Sequence, residues 1–185
     1  MRIIAGTFRS RQLKSLKNLK IRPTSDMLRE TLFNILGPGV EGSRFLDLFA
    51  GTGAVGIEAV SRGAAFVAFV ESHGATARLI KENLALLHVA GGVRVMAADA
   101  IAAIAKLAEE RSAPFDFAFL DPPYANGDDY QQALRALGES DLVKEGSLAI
   151  AEHRKSSTLP DVVGQLRKFR VHPQGDAALS FYRKT

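Results

Sequence analysis

The tetrapeptide Asp121-Pro122-Pro123-Tyr124 combines a carboxylate, free backbone carbonyls and an aromatic ring directly after an apolar run. Two prolines cannot continue a sheet, so this loop is expected to be rigid. Asp121 and the Pro122 carbonyl could accept both hydrogens of an exocyclic amine on a nucleobase. That would orient the nitrogen lone pair and stabilise the positive charge that develops on nitrogen during methyl transfer. Tyr124 could stack on the base. The tetrapeptide therefore predicts an amino-methyltransferase site, with Asp121, Pro122 and Tyr124 as its catalytic residues.

A glycine-rich loop lies earlier in the chain, where the run G-T-G-A-V-G at residues 51–56 matches the dinucleotide-binding pattern G-x-G-x-x-G. Such glycines permit a tight turn and close approach of a ligand to the backbone. Asp47, four residues before Gly51, would put a carboxylate near the helix end where a pyrophosphate binds. A carboxylate suits a cofactor that has cationic groups and no phosphates. We therefore expect S-adenosylmethionine here rather than a nicotinamide dinucleotide.

Two further acids end the next two predicted strands. Glu71 follows Asp47 by 24 residues, and an acid at that place can accept hydrogen bonds from both hydroxyls of a ribose. Asp99 ends the third strand and could meet an adenine amino group, with its neighbours flanking the ring. Helix capping at a strand-to-helix turn is the alternative for all three acids, and for Asp99 above all.

The elements that must position these groups alternate along the chain. Apolar strands are predicted over residues 45–49, 65–70, 92–97, 115–120 and 147–152, and helices over 54–62, 75–88, 100–111 and 129–137. Another helix is predicted after Pro23, capped by Thr24 or Ser25. This alternation is typical of a doubly wound parallel sheet, which binds ligands at the carboxyl ends of its strands. The segments 166–171 and 178–183 have no helix between them, so they predict an antiparallel edge.

Basic residues are concentrated at the start of the chain. Residues 1–25 carry a charge of +7 with no acid, whereas the remaining 160 residues carry −3. Such an asymmetry is the footprint of a polyanion binder, although a solvated terminus is the alternative. The interleaved apolar residues favour a short β element with a turn near Lys17-Asn18. We expect residues 1–22 to form a basic β-hairpin extension that contacts RNA and residues 23–185 to form the catalytic domain. The predicted RNA-contacting residues are Arg9, Arg11, Lys14, Lys17, Lys20 and Arg22.

Composition narrows the remaining function classes. The chain of 185 residues contains no cysteine, which excludes disulfides, zinc thiolate sites and cysteine nucleophiles. The four histidines show no metal-ligand spacing, so no metal is expected. No stretch approaches the roughly 20 apolar residues of a membrane span, and no secretory signal is evident. We expect a soluble cytoplasmic protein, and nothing in the sequence demands more than a monomer.

Taken together, these motifs resemble the bacterial 16S ribosomal RNA guanine-N(2) methyltransferases. The matching segments are residues 2–6, 22–24, 29–34, 47–53, 56–59, 61–64, 70–71, 121–124 and 179–182, so the resemblance covers nearly the whole chain. It implies a Rossmann-like class I methyltransferase fold with a small N-terminal β-hairpin that meets RNA. It also implies that residues 121–124 hold the guanine amine. The implied S-adenosylmethionine site consists of Thr24, Asp47, Phe49, Ala50, Gly51, Gly53, Glu71, Ser72, Asp99 and Ala100.

Other functions remain open at this point. An adenine amino-methyltransferase acting on DNA or another RNA would use the same tetrapeptide, but the short chain has no large domain for recognising a DNA sequence. A non-catalytic RNA-binding module is disfavoured by the intact acids and tetrapeptide, and an oxidoreductase by Asp47. Within the leading hypothesis, the substrate is either naked ribosomal RNA or an assembling small ribosomal subunit.

Overall fold

A computed structural model of the chain describes residues 1–15, 24–123 and 127–185. Five α-helices lie in these ranges: α1 (Asp26–Leu36), α2 (Ala54–Ser61), α3 (Gly74–Leu86), α4 (Ala100–Glu109) and α5 (Gly127–Glu139). A 3-10 helix, Gly37–Val40, follows α1. The strands there are β1 (Arg44–Leu48), β2 (Phe66–Val70), β3 (Val93–Met96), β4 (Phe117–Leu120), β5 (Leu148–Arg154), β6 (Val162–Val163), β7 (Leu166–Gln174) and β8 (Ala177–Lys184). No described helix is both long enough and apolar enough to cross a membrane.

All eight strands belong to one sheet, in the order β3-β2-β1-β4-β5-β8-β7-β6. The first five strands are parallel to one another, and β8, β7 and β6 add to β5 in antiparallel pairing. The predicted doubly wound α/β class with an antiparallel edge is therefore confirmed. The antiparallel edge has three strands rather than the two that were predicted. The additional strand, β6, has only two residues, too few to show a recognisable alternation in the sequence.

Helices cover both faces of the sheet. On the α1–α3 face, residues such as Leu32, Ile57 and Ile80 pack with Phe45 and Phe69 of the strands. On the opposite α4–α5 face, Leu107 and Leu134 pack with the strand residues Leu46 and Leu48. Each fully buried side chain of this size contributes about 1.5–3 kcal/mol. The parallel strands are consequently apolar on both sides, which holds their carboxyl ends rigidly at one edge.

Residues 1–15 reverse direction through turns at 6–10 and form one isolated antiparallel bridge, between Arg2 and Gln12. Ile3 and Leu13 are buried in the core of the α1–α3 face. The observed reversal precedes the predicted turn at residues 17–18, which lies outside the described residues. The start of the chain is therefore packed against the helices and strands of this face.

Buried polar groups attach this segment to α2 and α3. The side chain of Glu58 is fully buried and accepts hydrogen bonds from the backbone N–H groups of Ile4 (2.8 Å) and Ala5 (3.0 Å). Asn83 of α3 accepts from the backbone N–H of Lys14 at 2.8 Å and donates to its carbonyl at 3.2 Å. Gly6 lies so close to α2 that a Cβ added there would sit 1.8 Å from the carbonyl oxygen of Ser61. These contacts fix the segment in one position on the helices.

Candidate active site

A cavity of about 540 Å³ opens at the carboxyl ends of the parallel strands. This is the edge at which doubly wound sheets bind their ligands. Its described lining residues are Thr24, Asp47, Phe49, Ala50, Gly51, Thr52, Ala54, Val55, Val70, Glu71, Ser72, His73, Thr76, Ala98, Asp99, Ala100, Phe119, Asp121, Pro122, Pro123 and Asp129. The sequence-predicted cofactor residues are thus brought together, with one exception. Gly53 is not among the described lining residues; with φ at 79° it is the N-cap of α2, and a Cβ added there would lie 3.2 Å from the Ile80 side chain.

Asp47 is a buried acid in the cavity wall whose pKa is strongly raised. It lies in β1 with 2% of its surface exposed, and its Oδ2 accepts a hydrogen bond from the backbone N–H of Gly56 at 2.8 Å. Burial raises the pKa of the Asp47 carboxyl to about 7; the Gly56 hydrogen bond opposes the rise, and the negative charge of Glu71 adds to it. The ionised form therefore lacks a compensating positive charge.

Glu71 connects the end of β2 to the glycine loop. Its Oε2 accepts from the backbone N–H of Gly51 at 2.9 Å, and its Oε1 accepts from that of His73 at 2.7 Å. The loop itself has an unusual backbone, since Phe49, Gly51 and Gly53 all have positive φ, at 60°, 53° and 79°. For the non-glycine residue Phe49 this conformation is uncommon and is characteristic of functional sites. The acid and the glycines together shape the floor of the cavity.

Asp99 has the capping role that was the alternative for this residue. Its Oδ1 accepts from the backbone N–H groups of Ile101 (2.9 Å) and Ala102 (3.3 Å) at the start of α4. The same side chain also lines the cavity, so capping and ligand contact are compatible. Its contact with an adenine amino group stays a prediction.

The charge of the cavity is one-sided. Five carboxylates line it, and no lysine or arginine is found among its described lining residues. The net negative charge of the described lining would repel a phosphate group and attract a cationic ligand. The cavity therefore fits S-adenosylmethionine, whose ammonium and sulfonium are both positive, and does not fit a dinucleotide.

The predicted amine-binding loop lies at the same edge. Asp121, Pro122 and Pro123 follow β4 directly and line the cavity, with Pro122 buried and Asp121 half-buried. Because β4 pairs with β1 in parallel, this loop and the glycine loop emerge side by side. Tyr124, the third predicted catalytic residue, lies outside the described residues.

Sequence reasoning missed a polar pair beside the cavity. Thr24 is buried, and its hydroxyl donates a 2.7 Å hydrogen bond to Oε2 of Glu152, which is 5% exposed in β5. The carbonyl of Glu152 also accepts from the Tyr130 hydroxyl at 2.8 Å. An acid within the apolar run Ala-Ile-Ala-Glu of β5 was the available signal. This pair joins the residues before α1 to the carboxyl end of a central strand.

The predicted RNA-contacting residues are partly described. Arg9 and Arg11 are exposed, and the guanidinium of Arg11 lies 5.8 Å from the ring centre of Phe8. Lys14 is also exposed and forms an ion pair with Glu82 at 3.0 Å. The other three, Lys17, Lys20 and Arg22, lie outside the described residues.

The whole chain is similar to known proteins. Residues 1–183 match the family model described as Conserved hypothetical protein 95. Ribosomal RNA small subunit methyltransferase D of Escherichia coli (strain K12) is 33% identical over 184 residues, which cover 100% of this chain and 90% of that protein. The protein of the same name from Haemophilus influenzae is 38% identical over 160 residues, 86% of this chain and 81% of that protein.

A solved structure agrees with the fold described above. A hypothetical protein of Thermus thermophilus has 31% identity to this chain and a TM-score of 0.82, with 98% of each chain covered. The strands of the sheet and the residues that line the cavity lie almost entirely within the matched residues 1–183. The chain therefore belongs to the family described as Conserved hypothetical protein 95, which matches it over residues 1–183.

Proposed function

We propose that this protein transfers a methyl group from S-adenosylmethionine to the exocyclic N2 amine of a guanine in the 16S RNA of the small ribosomal subunit. The observation that carries the proposal is the pairing of an acid-lined cavity with the Asp121-Pro122-Pro123 loop at one sheet edge. The names of the relatives, small-subunit ribosomal RNA methyltransferases, support the substrate class. The choice of guanine N2 rests on the resemblance of the motifs.

The cavity residues have separate tasks toward the cofactor. S-adenosylmethionine, when bound, supplies a methyl group on a sulfonium, which is already a good leaving group. Asp47 provides a buried negative charge for a cationic group. Glu71 keeps the glycine loop in place and retains lone pairs for ribose hydroxyls. Asp99, at the N-terminus of α4, is available to an adenine amine.

The loop after β4 prepares the nucleophile. A guanine amine is a weak nucleophile because its lone pair is delocalised into the ring. Asp121 and the carbonyl of Pro122 accept its two hydrogens, which turns the lone pair toward the methyl donor. The carboxylate also stabilises the positive charge that develops on nitrogen. Tyr124 stacks on the base, and the proton leaves after transfer, so no strong general base is required.

The basic residues 1–22 are proposed as the RNA-contacting extension and residues 23–185 as the catalytic domain. In this proposal the enzyme works as a monomer in the bacterial cytoplasm, on ribosomal RNA alone or within an assembling small subunit. The leading alternative is methylation of an adenine amine, which presents the same local problem to Asp121. The identity of the modified base therefore has to be measured directly.

The decisive experiment is methyl transfer to ribosomal RNA from cells that lack this protein. The RNA is digested after the reaction, and mass spectrometry identifies the product. N2-methylguanosine in the small-subunit RNA is the expected result. N6-methyladenosine would replace the guanine assignment with the adenine alternative, and no product from either naked RNA or small-subunit particles would reject the proposal. Titration calorimetry should also show binding of S-adenosylmethionine and none of NADH.

Asp121→Ala tests the amine-holding role. We expect kcat to fall at least about 100-fold, as when one preorganised transition-state contact is removed, while cofactor affinity is largely kept. Asp141→Ala, which removes an exposed carboxylate on the loop after α5, is the control. Near wild-type turnover in Asp121→Ala would show that this carboxylate does not hold the amine.

A further inference from the structure

The antiparallel end of the sheet carries a second group of basic residues, unrelated to the start of the chain. Arg167 and Arg170 of β7 and Arg183 of β8 are exposed, and Phe169 between them is 46% exposed. We call these four residues the β7–β8 strip. Residues directly opposite each other on paired strands point to the same face. Because Arg170 pairs with the core residue Phe181, and Arg167 with Arg183, the strip lies on the α1–α3 face.

Two of the three arginines of the strip contact aromatic rings, and none of the three pairs with an acid in the described part of the chain. The Arg183 guanidinium lies 4.2 Å from the ring centre of Phe169, and that of Arg170 lies 5.7 Å from the ring centre of Phe181. In the described part of the chain, no carboxylate forms an ion pair with Arg167, Arg170 or Arg183. Ring contacts orient the guanidinium groups and leave their charge uncompensated.

Cations on the other face of the same two strands behave differently. Lys168 pairs with Asp161 at 2.9 Å and donates to the carbonyl of Leu159 at 2.6 Å. Lys184 donates to the carbonyls of Ser140 (2.8 Å) and Val143 (3.2 Å). The ammonium groups of both lysines are therefore already bound within the protein. The contrast within one hairpin indicates that the strip is available to an external partner.

Uncompensated guanidinium groups around an exposed ring are suited to a polyanion that also presents flat bases. Arginine binds phosphate oxygens, and an aromatic ring stacks with unpaired bases. The basic residues 1–15 pack on α1, α2 and α3, and Arg2 pairs with Asp26 of α1, so both basic groups belong to the same face. We propose that the β7–β8 strip is a second RNA-docking surface, which contacts the substrate RNA beyond the target nucleotide. This inference rests on the proposed function for the identity of the substrate.

The test is the salt dependence of binding to unmodified 16S ribosomal RNA made by transcription. Each phosphate contact contributes about −0.7 to −0.9 to the slope of log K against log salt concentration. Replacing Arg167, Arg170 and Arg183 by glutamine should therefore make the slope shallower by about 2.1 to 2.7, with an unchanged affinity for S-adenosylmethionine. The charge-matched control replaces Lys106, Arg135 and Lys144, which are exposed on or beside α4 and α5, and should keep the wild-type slope.

Single changes keep the inference testable if the triple variant is unstable. Arg167→Gln alone should make the slope shallower by about 0.7 to 0.9, whereas Phe169→Ala should weaken binding about 5-fold or more without altering the slope. A wild-type slope in the strip variants, or an equal change in the control, would overturn the inference. So would a loss of affinity for small-subunit particles but not for the RNA alone, because that result would assign the strip to a protein.

Failure of the proposed RNA-docking surface and failure of the proposed function give different results. If the wild-type enzyme methylates the RNA and the strip variant keeps its KM and slope, the surface is wrong and the function stands. If the strip variant loses affinity while the wild-type enzyme forms no methylated base, the surface stands and the function is wrong.

Discussion

Replacement of Asp47 by asparagine tests the electrostatic basis of cofactor binding. Asparagine keeps an oxygen for the Gly56 N–H but removes the negative charge. In the free protein burial raises the pKa of Asp47 to about 7, so a cationic ligand has to bind the ionised minority below that pH. We therefore expect the affinity for S-adenosylmethionine to increase as the pH rises through 7 in the wild-type protein and to change little in Asp47→Asn.

The expected change in Kd follows from the pKa of Asp47. About one tenth of the carboxyl is ionised at pH 6 and about nine tenths at pH 8, so Kd at pH 6 should be about 10-fold weaker than at pH 8. Binding at pH 6 should release about nine tenths of a proton. The loss of a hydrogen bond to a charged group would make Asp47→Asn about 10- to 100-fold weaker than wild type at pH 8.

Calorimetry in two buffers with different ionisation enthalpies counts the released protons. His73 also lines the cavity, so a His73→Gln variant, which keeps Asp47 but lacks the imidazole, is the control. Equal affinities at pH 6 and pH 8 in the wild-type protein, or the same pH dependence in Asp47→Asn, would refute the electrostatic argument.

The stability of the ligand-free protein provides an independent test of whether the pKa of Asp47 is raised. The folded state binds the Asp47 proton more tightly than the unfolded state, whose pKa is near 3.8. The free energy of unfolding should therefore fall as the pH rises from about 4 to about 7, by ~4 kcal/mol at most, and this part of the decrease should be absent in Asp47→Asn. Urea unfolding over this pH range measures it.

Two further predictions concern the anchoring of residues 1–15. Gly6→Ala should lower the free energy of unfolding by at least about 2 kcal/mol more than Gly42→Ala. Both glycines have positive φ, but only at Gly6 would the new Cβ clash with Ser61. Urea unfolding of both variants measures the difference, and equal losses would exclude the clash. Glu58 pairs with Arg29 at 3.6 Å and with Arg62 at 2.8 Å, so Glu58→Gln should cost about 3–5 kcal/mol and expose the start of the chain to limited proteolysis. The exposed Glu109→Gln should cost less than about 0.5 kcal/mol, and matching stabilities would contradict the anchoring role.

Local patterns carried much of the fold and of the site. The apolar runs before Asp47, Glu71 and Asp99 predicted three strands that end at one edge, since parallel strands bring their carboxyl ends together. The glycine run predicted the loop between β1 and α2 for a similar reason. In each case the functional residue lies within a few positions of the strand that places it at the edge of the sheet.

The interactions that sequence reasoning missed join residues far apart in the chain. Glu58 reads as one acid in an apolar helix, yet its partners Ile4 and Ala5 lie more than 50 positions earlier. Thr24 and Glu152 are separated by 128 positions. The β7–β8 strip depends on a bulge between Lys168 and Arg170 and on cross-strand ring contacts, which no periodicity encodes.

The buried side chain of Glu58 has a consequence for how RNA binding is mapped in this protein. Deleting residues 1–15 would remove Arg9 and Arg11, but it would also strand a fully buried carboxylate and the buried amide of Asn83 without their backbone partners. A truncated chain would thus report a folding defect as if it were lost RNA affinity. Substitution of the exposed arginines, rather than truncation or exchange of the segment between relatives, is the perturbation that separates the two effects.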